Sequence, residues 1–312
     1  MPFSIAIHGG AGTILREQMT AELQREIEAA LEKSVRAGHD ILSSGGSAVD
    51  AVTAAVKVLE DSPHFNAGRG SVLTHREMVE MDASIMSGRG KNAGAIAGVK
   101  HIRNPIELAK AVMEDSEHVF LIGEGAESFA FEHDFLYTEQ DYFYTDRRYD
   151  QLQSMKEKGL FALSESRYPD DNKYGTVGAV ALDQYGDLAA ATSTGGITNK
   201  QYGRVGDSAV IGAGTWAENQ VVAVSTTGMG EHFLQENVAA DLAARVRYLN
   251  ETVGQAADHI IQGELKERGG EGGLIAIDKS GNAYFAMNSL GMYRASIDPR
   301  GKCEIRIYAD QD

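Results

Sequence analysis

The chain has little cysteine, little proline and a shortage of positive charge. Cys303 is the single cysteine among 312 residues, which excludes an internal disulfide bond and any zinc site built from cysteines. Only five prolines are present, so the chain does not have the composition of a low-complexity linker. The 29 basic and 45 acidic residues give a formal net charge of −16, which argues against nucleic acid or an anionic membrane as a partner.

Long hydrophobic runs are also missing. No segment reaches the roughly 18 apolar residues that a membrane-spanning helix requires. The beginning of the sequence contains no basic segment of the kind found in targeting signals. The lone cysteine fits a reducing compartment. We therefore expect a cytoplasmic protein without a membrane partner.

Glycine, by contrast, is abundant. It accounts for 35 of the 312 residues, about 11% against a usual ~7%. With so few prolines, these glycines are expected in turns and at close contacts of the backbone. The hydrophobic fraction of 43% and the charged fraction of 24% are those of a globular chain that can bury a substantial core.

Apolar periodicity predicts both strands and helices along the chain. The predicted strands are Phe3–Ile7, Val79–Met86, Ala93–Val99, Val119–Ile122, Thr176–Leu182, Leu188–Ser193, Val221–Ser225, Leu274–Ile277 and Ala283–Met287. The predicted helices are Thr20–Ala37, Ser47–Leu59, Ile106–Met113, Glu231–Leu249 and Val253–Glu267. Between Tyr137 and Lys173 we expect a further helix and a polar, mobile segment. This order favours an α+β fold, with antiparallel sheets covered by helices and no linker that would separate two domains.

Motifs for nucleotide, metal and serine chemistry are incomplete. Gly123-Glu124-Gly125 follows a predicted strand, but Ser128 stands where a dinucleotide-binding loop has its third glycine. The nine histidines show no pair at the helical spacing of zinc ligands, and a Gly-x-Ser-x-Gly motif is missing. A nucleotide- or phosphate-binding protein that uses the glycine loops stays open as an alternative of a different class.

Threonine, serine and glycine cluster at predicted strand ends in the second half of the chain. The clusters are Gly175-Thr176-Val177-Gly178, Thr192-Ser193-Thr194-Gly195-Gly196 and Thr226-Thr227-Gly228-Met229-Gly230. Each cluster alone is typical of a strand that ends in a turn. Together they place hydroxyls beside backbone amides, and acyl transfer needs a nucleophilic hydroxyl beside donors for an oxyanion. A threonine freed at an amino terminus also supplies a base, because the reference pKa of an α-amine lies near ~8.

These clusters belong to a longer series that resembles the isoaspartyl peptidase/L-asparaginase family of N-terminal-nucleophile hydrolases over essentially the whole chain. The other matching segments, in family order, are His8-Gly9-Gly10-Ala11-Gly12, Phe65-Asn66-Ala67-Gly68, Ala179-Val180-Ala181-Leu182-Asp183, Gly203-Arg204-Val205-Gly206-Asp207-Ser208, Gly212-Ala213-Gly214 and Glu231. The resemblance implies an αββα sandwich in which two antiparallel sheets lie between helical layers. It also implies that residues 1–312 form one domain, which cuts itself into chains 1–175 and 176–312.

The resemblance assigns the chemistry to residues of this sequence. It implies cleavage between Gly175 and Thr176, after which Thr176 is the nucleophile. It implies that Thr194 hydrogen-bonds to the nucleophile and tunes it. The Thr227 hydroxyl and the Gly228 amide would form the oxyanion hole. The implied reaction is hydrolysis of isoaspartyl (β-aspartyl) dipeptides and of L-asparagine.

Substrate binding is assigned in the same way. Arg204 would clamp the α-carboxylate of the aspartyl group, a role that suits the planar guanidinium group. Asp207 would pair with the α-ammonium group, helped by the Gly230 carbonyl, and Asn66 would position the surroundings of the nucleophile. The alternative for Arg204 and Asp207 is an ion pair at the surface.

The resemblance further implies a structural sodium ion and a homodimer of cleaved protomers, with no cofactor for catalysis. The sodium would be held by main-chain carbonyls of Leu59, Glu60, Ser62, Phe65, Ala67 and Arg69. A glycosylasparaginase or a threonine endopeptidase of the same fold stays open. Thr176-Val177-Gly178-Ala179 favours the isoaspartyl peptidase, because the Asp-Thr-Ile-Gly start typical of glycosylasparaginases is missing. Tyr174 stands where many relatives have histidine, which leaves the rate of maturation open.

Overall fold

The structure, a computed structural model, describes residues 2–158 and 175–311. Its strands are β1 (Ser4–Gly12), β2 (Met81–Ser87), β3 (Ala93–Val99), β4 (Phe120–Ile122), β5 (Val177–Leu182), β6 (Leu188–Thr194), β7 (Thr215–Glu218), β8 (Val222–Gly228), β9 (Gly272–Asp278), β10 (Ala283–Met287), β11 (Gly291–Ile297) and β12 (Cys303–Tyr308). Its helices are α1 (Ala21–Ser43), α2 (Ala48–Glu60), α3 (Pro105–Asp115), α4 (Gly123–Glu132), α5 (Asp146–Glu157), α6 (Gly230–Glu236), α7 (Val238–Ala244), α8 (Val253–Asp258) and α9 (Leu265–Glu267).

The described strands form two sheets. The first has eight strands in the order β12-β11-β1-β5-β6-β2-β3-β4, and the second has four in the order β10-β9-β8-β7. One apolar cluster lies between the sheets and includes Val180, Ala223 and Ile275. Helices α1 to α3 pack on the outer face of the first sheet, and α7 and α8 pack on the second. The expected α+β architecture, with two sheets flanked by helices, is confirmed.

One strand pair does not follow the expected antiparallel arrangement. β3 and β4 are parallel, with Ala95 opposite Phe120 and Ala97 opposite Ile122. The chain between them forms α3, which packs against β3 and returns the chain to the end of the sheet from which β3 started. A helical crossover of this kind joins parallel strands. The prediction of two wholly antiparallel sheets was therefore wrong at this edge.

Capping residues explain where the first two helices begin. The Thr20 hydroxyl accepts a hydrogen bond from the Leu23 amide at 3.1 Å, and the Ser47 hydroxyl accepts one from the Asp50 amide at 3.1 Å. Each bond satisfies an amide that the first helical turn leaves without a partner. Both starts were predicted from the sequence.

The predicted helix Glu231–Leu249 is interrupted. Asn237 adopts a left-handed conformation with φ 49°, which ends α6 and precedes α7, and residues Arg245–Leu249 form a π-helical turn. Within the polar segment Tyr137–Lys173, the expected helix is present as α5. The rest of that segment, together with Tyr174, lies outside the described residues. In the described part of the chain, no helix combines the length and apolar character needed to cross a membrane.

Three strand ends meet at one end of the sandwich. β5 begins at Val177, directly after Thr176, and its antiparallel neighbour β6 ends at Thr194. β8 of the second sheet ends at Gly228. Because β5 and β8 pack face to face, this end of the fold brings hydroxyls of both sheets together.

Candidate active site

Thr176 lies at the start of β5 and has a hydroxyl neighbour on β6. Its side chain is buried, and its Oγ1 donates a hydrogen bond to Oγ1 of Thr194 at 3.1 Å. The Gly196 amide donates a second hydrogen bond to the same Thr194 oxygen at 3.0 Å. A hydroxyl oxygen that accepts from a backbone amide is held in place, so Thr194 fixes the direction in which the Thr176 hydroxyl points.

The Gly175 carbonyl, which precedes Thr176, is held by Asn66. The backbone amide of Asn66 donates a hydrogen bond to the Gly175 carbonyl at 3.1 Å. A Cβ atom on Gly175 would lie 2.7 Å from the Cβ of Asn66, so this approach requires glycine. The Asn66 side chain donates to the Gly196 carbonyl at 2.7 Å. Asn66 therefore joins the residue before Thr176 to the loop after β6, and its amide polarises the carbonyl that a cleavage reaction would attack.

Thr227 and Gly228 lie at the end of β8, on the other sheet. The Thr227 side chain is completely buried, and its Oγ1 accepts a hydrogen bond from the Ala11 amide at 3.2 Å. The lone pair engaged by Ala11 leaves the hydroxyl proton available to a developing negative charge. Gly228 lines the same cavity as Thr176.

Arg204 is held by the carboxylate of Glu231. Its Nε and Nη2 atoms donate to Oε1 and Oε2 of Glu231 at 2.9 and 2.8 Å. Burial alone would lower the pKa of Arg204, but the hydrogen bonds and the charge of Glu231 raise it. The pKa of Arg204 therefore lies above its ordinary value. Within residues 2–158 and 175–311, Nη1 of Arg204 takes part in no hydrogen bond or ion pair, so a second edge of the guanidinium is left. The free edge can bind a second carboxylate in the same bidentate way.

Asp207 is buried three residues after Arg204. Thr226 donates a hydrogen bond from its hydroxyl to Oδ2 of Asp207 at 2.7 Å. Burial raises the pKa of Asp207 to about 6. In the described part of the chain, Arg204 and Asp207 form no ion pair with each other, so the surface-pair alternative does not describe them. A Cβ atom on Gly230 would lie 2.8 Å from Nη2 of Arg204 and 2.9 Å from Oδ1 of Asp207, so Gly230 borders both.

These residues surround a single narrow cavity. It is lined by Gly175, Thr176, Thr194, Gly196, Ile197, Arg204, Gly206, Asp207, Ser208 and Gly228. The structure thus brings the predicted nucleophile, its neighbouring threonine, one oxyanion donor and both substrate-binding charges to one place. Asn66, Thr227 and Gly230 adjoin lining residues: Asn66 bonds to Gly175 and Gly196, Thr227 precedes Gly228, and Gly230 borders Arg204 and Asp207. With Gly175 still attached, the cavity measures about 10 Å³, too little for an aspartyl group.

The loop after α2 has the chemistry of a cation site. Within the described residues, four of the six predicted carbonyls accept no hydrogen bond, namely those of Ser62, Phe65, Ala67 and Arg69. The Leu59 carbonyl accepts from the Ser62 amide at 3.2 Å, and the Glu60 carbonyl accepts from the Arg69 amide at 2.6 Å. Ser62, Phe65 and Ala67 are buried, whereas Arg69 is exposed, and carbonyls of buried residues without a hydrogen-bond partner suit a hard cation. The residues present therefore fit a sodium ion bound by main-chain oxygens. No cluster of acidic, histidine or cysteine side chains suited to a metal occurs in residues 2–158 and 175–311.

Two polar residues at the site received no role from the sequence. Glu231 orients Arg204 from 27 positions further along the chain, and nothing local signals that pairing. His8 approaches Thr176, with Nδ1 at 3.0 Å from the Thr176 carbonyl. His8 begins a matched segment next to a glycine-rich turn, and this position was the only feature of the sequence that pointed to a role at the site. Because it contacts the carbonyl rather than the hydroxyl, His8 is not placed to act as the base for Thr176.

Comparisons with known proteins cover nearly the whole chain. A family described as asparaginase (Asparaginase_2) matches residues 1–307. A protein named isoaspartyl peptidase from Escherichia coli strain K12 is 50% identical over 293 residues, which is 93% of this chain and 91% of that protein. A Homo sapiens protein named isoaspartyl peptidase/L-asparaginase is 44% identical over 293 residues, again 93% and 91% of the two chains. These matches confirm the resemblance, and the chain belongs to the asparaginase family.

Proposed function

We propose that this protein hydrolyses isoaspartyl dipeptides and L-asparagine through Thr176, made N-terminal by self-cleavage. The observation that carries the proposal is the position of the Thr176 hydroxyl. It lies 3.1 Å from the Thr194 hydroxyl, directly after a carbonyl held by the Asn66 amide, in a cavity that also contains Arg204 and Asp207. The names of the relatives support the choice of substrates.

Maturation would come first. The Thr176 hydroxyl attacks the Gly175 carbonyl carbon, the peptide C–N bond breaks, and the nitrogen takes up the proton. Water then hydrolyses the resulting ester and leaves a Gly175 carboxylate and a free Thr176 amine. We assign one N-terminal-nucleophile domain of the αββα type to residues 1–312, cut into chains 1–175 and 176–312. The narrow cavity supports this order, because substrate needs the space that the uncut chain occupies.

Turnover would then use both groups of Thr176. The free amine accepts the hydroxyl proton, and Oγ1 bonds to the carbonyl carbon of the substrate side chain. The Thr227 hydroxyl and the Gly228 amide stabilise the oxyanion. The leaving amine takes the proton, and water hydrolyses the aspartyl ester. The amine must be neutral for this step, because a protonated amine cannot accept the hydroxyl proton.

Substrate recognition would rest on charge. The free edge of Arg204 binds the α-carboxylate, while Asp207 binds the α-ammonium group with help from the Gly230 carbonyl. Glu231 holds the guanidinium plane. Specificity for a free α-amino and α-carboxyl group follows, so the scissile bond must be at the β-carboxyl. The sodium site of the loop after α2 and the homodimer stay predictions, and sodium would stabilise that loop rather than take part in the reaction.

The test compares two buried threonines. Thr176 and Thr53 have the same exposed fraction of 7%, but Thr53 lies on α2 and donates only to the Val49 carbonyl. We expect Thr176→Ala to stay uncut and to release no aspartate from β-aspartyl-leucine or L-asparagine. Thr53→Ala should be cut and active. Aspartate release by Thr176→Ala at the rate of the unmodified protein would rule out the proposed function.

A further inference from the structure

A series of completely buried polar side chains begins at the Thr176 carbonyl. His8, on β1, has Nδ1 at 3.0 Å from that carbonyl and Nε2 at 2.9 Å from the Ser225 hydroxyl on β8. The Ser225 hydroxyl lies 2.7 Å from the Thr192 hydroxyl on β6. Each of these three side chains has an exposed fraction of 0%. The series therefore passes from the first sheet to the second and back without contact with solvent.

The series crosses between the sheets again, to Thr215 on β7 of the second sheet and then to Ser84 on β2 of the first. The Thr215 hydroxyl donates to the Thr192 hydroxyl at 2.6 Å, and the Ser84 hydroxyl lies 2.8 Å from that of Thr215. Ser84 also reaches the Ser208 carbonyl at 2.6 Å, and Thr192 reaches the Gly214 carbonyl at 3.0 Å. We call Ser225, Thr192, Thr215 and Ser84 the hydroxyl chain. Its far end touches the residue after Asp207, so it connects the surroundings of the nucleophile to those of the substrate-binding carboxylate.

The direction of the hydrogen bonds is set at the Thr176 end. A carbonyl only accepts, so Nδ1 of His8 donates to it. Burial lowers the pKa of His8 to about 3, so the ring is neutral, has a single N–H and accepts from Ser225 at Nε2. The Ser225 proton is then used, and its oxygen accepts from Thr192. In this sense Thr192 donates to Ser225 rather than to the Gly214 carbonyl, Thr215 donates to Thr192, and Ser84 donates to Thr215 rather than to the Ser208 carbonyl, because each hydroxyl has one proton. Hydrogen bonds in such a series polarise one another.

Gly178 has no side chain, and this leaves the space that the hydroxyl chain occupies. It is paired with His8 on one side and with Thr192 on the other. A Cβ atom on Gly178 would overlap both the Ser225 hydroxyl and Nε2 of His8. The glycine two residues after Thr176 is thus required by the crossing of these side chains between the sheets.

We propose that His8 and the hydroxyl chain position Thr176, a role that rests on the proposed function. The β1–β5 ladder ends at the pair His8–Gly178, so Thr176 lies beyond it. After the Gly175–Thr176 bond is cut, the tether on the amino side is lost. The hydrogen bond from His8 to the Thr176 carbonyl then keeps the backbone of the new terminus in register with Thr194. His8 acts as a positioning residue, since it touches neither substrate nor the reacting hydroxyl.

The test replaces Thr192 with a residue that keeps either the shape of the threonine side chain or its hydroxyl group. Thr192→Val keeps the shape and removes the hydrogen bonds, whereas Thr192→Ser keeps the hydroxyl and removes a methyl group. For Thr192→Val we expect kcat on β-aspartyl-leucine to fall about tenfold, KM to change less than about twofold, and self-cleavage to slow. Thr192→Ser should stay within about threefold of the unmodified kcat. Thr53→Val and Thr53→Ser provide the matched controls and should leave kcat unchanged.

A merely structural role would affect both Thr192 variants in proportion to their melting temperatures. Equal kcat for the two variants would therefore overturn the proposal. Should Thr192→Val fail to fold, Ser225→Ala tests the same link, with the buried Ser34→Ala as its control. Ser225→Ala at the kcat of Ser34→Ala would also overturn it. Turnover by Thr176→Ala would instead remove the proposed function, so the two failures are distinguishable.

Discussion

Around Thr176 the structure has uncharged hydroxyls, whereas around Arg204 it has charges. Thr176 contacts Thr194 and His8, both on strands whose hydrogen-bonded ladders fix them. Arg204 and Asp207 lie between β6 and β7, outside any long element, and Arg204 is held by the carboxylate of Glu231. Uncharged hydrogen bonds on paired strands favour fixed geometry, whereas buried charges favour recognition of a charged ligand.

Because of this difference, we expect substitutions in the two regions to affect different kinetic quantities. Substitutions near Thr176 should lower kcat and self-cleavage, because both reactions use the same hydroxyl. Substitutions near Arg204 should lower kcat/KM and alter its pH dependence, while leaving self-cleavage largely intact. The following predictions test that separation.

The largest effect is expected at Thr194. Thr194→Val removes the oxygen that accepts from both the Thr176 hydroxyl and the Gly196 amide, and so leaves two buried donors without this partner. We expect kcat to fall by roughly two to three orders of magnitude, with a parallel slowing of self-cleavage. Thr194→Ser, which keeps the acceptor, should retain most of the activity. Steady-state kinetics and a denaturing gel over time measure both reactions, and a Thr194→Val kcat within threefold of the unmodified value would contradict this role.

Arg204→Lys should affect binding and turnover but not cleavage. Lysine keeps the charge and loses the planar group that can hold Glu231 on one edge and a substrate carboxylate on the other. We expect a loss of ~2–3 kcal/mol in transition-state stabilisation, read from kcat/KM. Self-cleavage should proceed at close to the normal rate. Failure of self-cleavage in this variant, or an unchanged kcat/KM on β-aspartyl-leucine in its cut form, would contradict the separation between the two regions.

The pH dependence of KM should report Asp207. Because burial raises its pKa to about 6, the carboxyl becomes neutral as the pH falls below that value and no longer attracts the substrate ammonium. KM should therefore rise about tenfold for each pH unit below 6, and level off above it. Initial rates between pH 5 and 8 measure this. Asp207→Asn should raise KM and remove the dependence, and a flat KM in the unmodified enzyme would argue against Asp207 as the ammonium partner.

The smallest effect is expected at Glu231. Glu231→Gln keeps a hydrogen-bond acceptor for Arg204 but removes the charge that orients the guanidinium. We expect KM to rise about fivefold, with kcat nearly unchanged. Gln262→Ala, which removes an amide bonded only to the Met287 carbonyl, is a control away from the cavity. A change in kcat larger than that in KM would mean that Glu231 contributes to the geometry of the nucleophile.

Local patterns predicted the parts of the fold that depend on neighbours in sequence. The starts of α1 and α2 followed from Thr20 and Ser47, and β3 has the predicted bounds. β7, β11 and β12 were not predicted, because their burial depends on the sheets that they join. β11, for example, contains Arg294, a charged residue that is completely enclosed between neighbouring strands and hydrogen-bonds to the Met292 and Tyr308 carbonyls.

In the candidate site, too, some features could be predicted from the sequence and others depend on contacts between distant parts of the chain. The family resemblance implied that Thr176, Thr194, Arg204 and Asp207 belong together, and the structure brings them to one cavity. The partners of these residues could not be read from the sequence. Glu231 pairs with Arg204 across 27 positions, and His8 reaches Thr176 across 168, because strand pairing alone brings such distant positions together.

The central claim is that the chemistry begins when Thr176 becomes an amino terminus. The direct measurement follows purified protein over days by denaturing gel, amino-terminal sequencing and aspartate release from β-aspartyl-leucine. The account predicts two chains, of 175 residues and of 312 − 175 = 137 residues, with the smaller starting Thr-Val-Gly-Ala and activity rising in proportion to the cut fraction. Full activity in a preparation that stays a single uncut chain would contradict it.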